Sequence, residues 1–181
     1  MKIAVAACLA AAVVAGVWLH GCVKGTLDVA RDSSLYIRAH DGVEDVKRQL
    51  VGMGASGLGF DLIAWQCDYK PSTGRYIIRP DDTLLSVMRR LKQHRQDPIR
   101  LVVPSVRLVA QLPARLAQHL MMDSAQVAEV LADTAFIDSL GYDEQTLPAM
   151  IVPNTYDVYW DVKPQALLER LKREGDRFCH E

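Results

Sequence analysis

Metal-ligand spacing is missing from this sequence. Neither CxxC nor HExxH occurs, and the five histidines are scattered along 181 residues, so no metal site and no cofactor is expected. Cysteine is scarce as well. Of the four, Cys8 and Cys22 lie in or beside an apolar run, while Cys67 and Cys179 are far apart. No disulfide framework is laid out, although a Cys67–Cys179 bridge stays open in an oxidising compartment. Neither sign of charge is in excess: the net is −1 at neutral pH, which removes the electrostatic case for a nucleic-acid partner. Aromatic residues make up only 7%, yet three of the nine tyrosines and tryptophans fall within Ile151–Trp160.

That stretch reads IVPNTYDVYW. Val158, Tyr159 and Trp160 favour an extended, half-buried surface. Pro153 biases Val152 toward extended backbone, and Asn154 and Thr155 are turn formers. An apolar strand, a polar turn and an aromatic strand are expected. Two readings stay open: rings that fill a core, or phenol and indole tips offered to a polar ligand.

What is present in quantity is apolar. Half of the residues are hydrophobic and 24% are charged, a globular composition with room for one domain or two small ones. Ile3–Leu19 carries no charge and reaches the short end of what spans a bilayer core, with Trp18 and His20 at the interface. Three readings apply: a retained signal anchor, a cleaved signal peptide, and a lipoprotein signal ending in Gly21-Cys22. The anchor is the reading adopted, over 1–22, followed by a linker over 23–34.

Beyond it, Leu35–Arg38 reads as a strand. Asp41 caps a helix with Val43, Val46 and Leu50 on one face and Glu44 completing a capping box. Gly52, Gly54, Gly57 and Gly59 open a loop, and Phe60–Cys67 forms a short helix with Leu62, Ile63 and Trp65 inward. Arg75–Arg79 is a second strand, and Leu84–Gln93 a helix with Leu84, Val87, Met88 and Leu91 at helical spacing. Strand plus capped helix thus occurs twice, a weak internal duplication.

Ile99–Val103 is an apolar strand, and Ser105–Val109 one helical turn. Pro113 opens a helix through His119 that buries Leu116 and Leu120. Asp123 and Gln126 form a capping box for a helix carrying Val127, Val130 and Leu131. Thr134–Leu140 is helical and stops at Gly141. Pro164 begins a last helix, with Leu167, Leu168 and Leu171 in one stripe and Glu169/Arg173 spaced to pair.

Three further stretches, GRYIIRPDDTLLSVMRRL, PIRLVVPSVRLVAQLPARLAQHL and IVPNTYDVYWDV, together with the apolar N-terminus, resemble the MltG (YceG-like) endolytic murein transglycosylases, most closely in a Bacteroidota form. The resemblance implies an α+β protein: an N-terminal transmembrane helix, a LysM-like small α+β unit over 35–97, and the first part of an α+β catalytic domain over 98–181. It implies a single-pass inner-membrane protein with its soluble part in the periplasm, acting on peptidoglycan glycan strands beside cell-wall synthesis proteins.

The implied reaction is non-hydrolytic cleavage of the MurNAc–GlcNAc β-1,4 bond by a glutamic acid of raised pKa, giving a 1,6-anhydro end. Asn154, Thr155, Tyr156 and Trp160 are the expected glycan-binding residues, with Arg107 a lesser one. The family glutamate stands in an Ala-Ser-Ile-Val/Ile-Glu-x-Glu helix that this sequence lacks. The catalytic residue is therefore unassigned, with Glu144 alone near the box. The expectation is a front portion that is inactive by itself, or a non-catalytic membrane-tethered peptidoglycan-binding module.

Overall fold

The computed structural model describes residues 27–103, 111–143 and 145–180, together with Gly21 and Gly25. It is mixed α+β and divides into two compact units between Asp97 and Pro98. The apolar run expected to cross a membrane, the helical turn over Ser105–Val109, Arg107 and Glu144 lie outside the described residues. Among those described, no helix is long and apolar enough to cross a membrane.

The first unit runs β1 (Ser33–Ile37), α1 (Val43–Gly52), α2 (Gly57–Gln66), β2 (Gly74–Ile78) and α3 (Leu84–Lys92). β1 and β2 pair antiparallel, Ser33 opposite Ile78 and Ile37 opposite Gly74. Alternation buries Leu35, Ile37, Tyr76 and Ile78 on one face, as a two-residue period requires. Helical spacing buries Val46 and Leu50 from α1 and Leu84, Val87, Met88 and Leu91 from α3 against them.

The suspected duplication has a structural counterpart. Each strand runs into the same Arg-x-x-Asp turn. The Arg38 N–H donates to the Asp41 carboxylate at 2.8 Å and the Asp41 N–H donates to the Arg38 carbonyl at 3.1 Å. In the second copy, Arg79 and Asp82 make the same two bonds at 2.9 and 3.0 Å. The second copy carries more. Asp82 also takes a hydrogen bond from Arg90, which donates in turn to the Ile77 carbonyl at 3.0 Å. Asp97 accepts the Ile77 N–H at 2.7 Å and gives its own N–H to the Arg75 carbonyl at 2.8 Å. Side chains thus occupy the outer edge of β2, where an exposed strand would invite foreign pairing.

Three local expectations are corrected here. Asp41 does not cap α1, because its carboxylate is engaged by the Arg38 turn. Gly42 is the cap, and Asp45 accepts its N–H at 2.9 Å. Gly57 and Gly59 are helical rather than loop: Ser56 caps α2 by accepting the Gly59 N–H at 3.2 Å. Trp65 points outward, 82% exposed. Phe60 and Ile63 hold the buried side of α2, and Trp65 lies two residues beyond Ile63, roughly 200° round the axis.

The second unit runs β3 (Ile99–Val103), α4 (Leu112–Ala117), α5 (Ser124–Ala132), α6 (Thr134–Ser139), α7 (Leu147–Met150), β4 (Asn154–Val158) and α8 (Pro164–His180). Asp123 and Gln126 do form the capping box of α5, and Gly141 follows α6 with φ +84°, where a side chain would be strained. Leu167, Leu168 and Leu171 of α8 are fully buried. Its ion pairs are Lys172–Asp176 at 2.6 Å and Arg177–Glu174 at 3.2 Å, rather than the expected Glu169–Arg173.

The expected hairpin around Asn154 is also corrected. Asn154 and Thr155 do not turn the chain; they begin β4, which pairs antiparallel with the distant β3, Asn154 opposite Val103 and Val158 opposite Ile99. The turn lies upstream, where Asp143 accepts the Gln145 and Thr146 N–H groups at 2.9 and 2.8 Å before the unanticipated α7. These bonds, led by the Thr146 hydroxyl, hold the Asp143 carboxyl below its ordinary pKa.

Candidate functional site

β4 divides the expected site residues. Tyr156 and Val158 face the core, while Asn154, Thr155, Asp157 and Tyr159 are exposed. The Tyr156 hydroxyl donates to the Val152 carbonyl at 2.6 Å. Burial, then the charge of Glu174, raises its pKa above the ordinary phenol value. Its ring is core and its hydroxyl is occupied. Asn154 accepts the Thr155 N–H at 2.7 Å, so its carbonyl side is turned back on the strand. Trp160 lies past the far end of β4, half-buried. At strand rise, Asn154 and Val158 are roughly 13 Å apart. Asn154 and Thr155 therefore share one end, and Trp160 belongs to the other.

At the Trp160 end the chain builds a groove. The Met121 N–H donates to the Trp160 carbonyl at 2.9 Å, tying the segment before α5 to the segment before α8. Between them opens a concavity of about 700 Å³, with Gln126, Glu129 and Val130 of α5 on one wall and Asp161, Lys163 and Gln165 on the other. Met121 and Met122 supply apolar surface at its end. That volume lies within the range of small-ligand pockets. Carboxylates, an ammonium and amides around methionine surface can both accept and donate hydrogen bonds to a hydroxyl-rich ligand. Asp133 also borders the groove, but its carboxylate accepts the Phe136 N–H at 3.1 Å and caps α6.

The sequence reading named Trp160, which precedes the groove wall at Asp161 but does not itself line the groove, and missed Gln126, Glu129 and Lys163. One signal was available: the capping box sets the start of α5 and puts Gln126 and Glu129 three apart on one helix face. Nothing local says that the Trp160–Gln165 segment stands opposite. The remaining described glutamates are elsewhere. Glu44 and Glu169 are exposed, and Glu174 pairs with Arg177.

The first unit contributes one exposed ring, Trp65, and a hydrogen bond between Ser72 and His94 that pins the loop before β2 to the end of α3. Among the described residues, no group of three or more His, Cys, Asp or Glu side chains could hold a metal ion. Cys67 is a free thiol, and the Cys179 side chain lies outside the described residues.

The YceG-like family model matches residues 35–181, from the first fully buried residue of β1 through both units. The chain belongs to the YceG-like family. A crystal structure of a yceG-like protein from Listeria monocytogenes is similar to it, with 17% sequence identity and a TM-score of 0.43, over 83% of this chain and 55% of that one. This YceG-like chain thus spans about half the length of that solved relative. Among curated proteins none matches. In this member of the family, the Pro153–Tyr156 box is the entry to β4, and its tyrosine is a core residue.

Proposed function

We propose that this YceG-like chain is the glycan-holding part of a membrane-anchored peptidoglycan lytic transglycosylase. Membership of the family over both units is the observation that carries the reading. The β1–α1–α2–β2 order of the first unit supports a LysM-like, glycan-binding role, and the groove beside Trp160 offers the second unit a place for sugar. In the proposed reaction a glutamic acid gives its proton to the glycosidic oxygen as the C1–O4 bond breaks. The sugar's C6 hydroxyl oxygen bonds to C1, and the carboxylate takes the hydroxyl proton, closing the 1,6-anhydro ring. Such an acid needs an apolar enclosure that raises its pKa. Glu44, Glu129 and Glu169 are solvent-exposed, so none of them is assigned that role.

That exposure also favours a second reading, a non-catalytic membrane-tethered peptidoglycan-binding module. Incubating the full chain with purified sacculi and analysing the muropeptides by mass separates the two. Anhydro ends identify an acid among these residues, with Glu144→Gln and Glu129→Gln as the first changes to make. Cosedimentation with sacculi without anhydro ends is the expected result, and it assigns this chain to holding glycan. Failure to cosediment would sink both readings.

A further inference from the structure

α2 is apolar round most of its circumference. Its only charged residue is Asp61, and Lys47 of α1 holds that carboxylate at 2.7 Å. One face, Phe60 and Ile63, is buried in the core of the first unit. The opposite face carries Leu58, 64% exposed, and Trp65, 82% exposed. Seven residues separate them, so they stand in one stripe roughly 10 Å long, with half-buried Leu62 between. Val51 at the end of α1 is 45% exposed and stands at the flank of α2, where a Cβ placed on Gly57 would lie 3.6 Å both from a Val51 methyl and from the Lys47 side chain. Scattered exposed apolar residues need no explanation, but a continuous stripe with its one carboxylate neutralised does.

The neighbours of Trp65 argue for the occupant. One turn back from Trp65 stand Leu62 and Asp61, and Lys47 already takes that carboxylate at 2.7 Å, so the helix gives the indole an aliphatic neighbour and a paired carboxylate rather than a free polar group. Indole and leucine with a lysine at the margin is the composition of a surface that rests in the headgroup layer of a bilayer. Chain length adds to this. The apolar run Ile3–Leu19 ends shortly before Leu27, the first buried residue of the unit, whose N–H is fixed to the Asp82 carbonyl at 3.0 Å. Residues 20–26 reach at most about 25 Å when fully extended. An anchored chain therefore keeps this unit at high effective concentration beside the lipid.

We propose that the Val51–Leu58–Trp65 face of the first unit docks on the lipid bilayer surface that the N-terminal segment anchors. This rests on the anchored reading above. It gives the unit a membrane-facing side and turns the remaining surface toward the cell wall.

The test uses the full chain carrying Trp18→Phe and Trp160→Phe, which leaves Trp65 as the sole tryptophan. It is reconstituted in vesicles of phosphatidylethanolamine and phosphatidylglycerol with lipids brominated near the glycerol end of the acyl chain. Flotation with the vesicles reports anchoring, and loss of emission reports docking. The expected result is flotation together with loss of about half of the Trp65 emission, as for an interfacial indole. Leu58→Glu in the same background is expected to restore that emission with an unchanged circular dichroism melt. Flotation with no loss of emission overturns the docking and leaves the anchor standing. Absence of flotation overturns both. Protection of Trp65 from acrylamide by sacculi, without quenching by brominated lipid, makes it a glycan platform instead.

Discussion

Tyr156 and Tyr69 are both buried, at 4% and 5% exposure, but their hydroxyls fare differently. Tyr156 donates to the Val152 carbonyl. Tyr156→Phe is therefore expected to cost about 1 kcal/mol in urea unfolding and to leave sacculus binding intact. Loss of binding at unchanged stability would instead give its hydroxyl to the ligand. Tyr69 packs edge-on against Phe60, ring centroids 6.2 Å apart, and among the described residues its hydroxyl has no hydrogen-bond partner. Removing a buried unsatisfied hydroxyl relieves a desolvation cost, so Tyr69→Phe is expected to be neutral or stabilising by up to about 1 kcal/mol. Burial raises the Tyr69 pKa far above the ordinary phenol value. A folded-state pKa raised in this way contributes stability that is whole below pH about 10 and is lost as pH rises further, because the unfolded chain ionises first. The urea midpoint should fall between pH 9 and 11.5, and Tyr69→Phe should flatten that fall.

The repeated turn compares two copies of one device at the scale of elements. Asp41 serves a backbone N–H and a weakly placed His40 at 3.5 Å. Asp82 serves the same N–H and also Arg90, both side chains being about four-fifths buried. Asp41→Ala is expected to cost about 1 kcal/mol, as loss of a cap does, and Asp82→Ala about 2–3 kcal/mol because a shielded guanidinium loses its main partner. Equal costs would mean that Arg90 finds Asp97, 4.0 Å away, without penalty. Helix propensity alone makes Gly175→Ala favourable by up to about 1 kcal/mol. Yet a Cβ there would lie 2.9 Å from the Met150 carbonyl oxygen, a backbone atom that cannot swing aside. Net destabilisation is expected, read as a lower melting temperature.

For the molecule as a whole, the two hydrophobic cores share no residue: one runs from Leu27 to Leu91 and the other from Leu101 to Leu171. Each sheet has two strands, too few to stand without helices packed on it, and each unit supplies its own. Asp82→Ala is therefore expected to lower one calorimetric transition and Gly175→Ala the other. A single transition lowered by both would show that the units unfold together.

The sequence by itself determined what depends on neighbours within about four residues. Three strand segments, β1 to β3, were legible, as were the Leu84–Leu91 stripe, the Asp123–Gln126 cap and the Leu167–Leu171 face, because period and capping chemistry are local. So was the family, through an ordered set of motifs. Only the tertiary structure decided partners. Turn-forming Asn154 and Thr155 became strand because β3, far upstream, offered a ladder of hydrogen bonds that no local turn could match. Trp65 turned outward because Phe60 and Ile63 already filled the inner face of α2. The groove joined Gln126 and Glu129 to Lys163 only when the Met121–Trp160 bond brought two distant segments side by side. Amphipathic pattern says which side chains leave water; what they meet there is set by the packing of elements the local sequence cannot see.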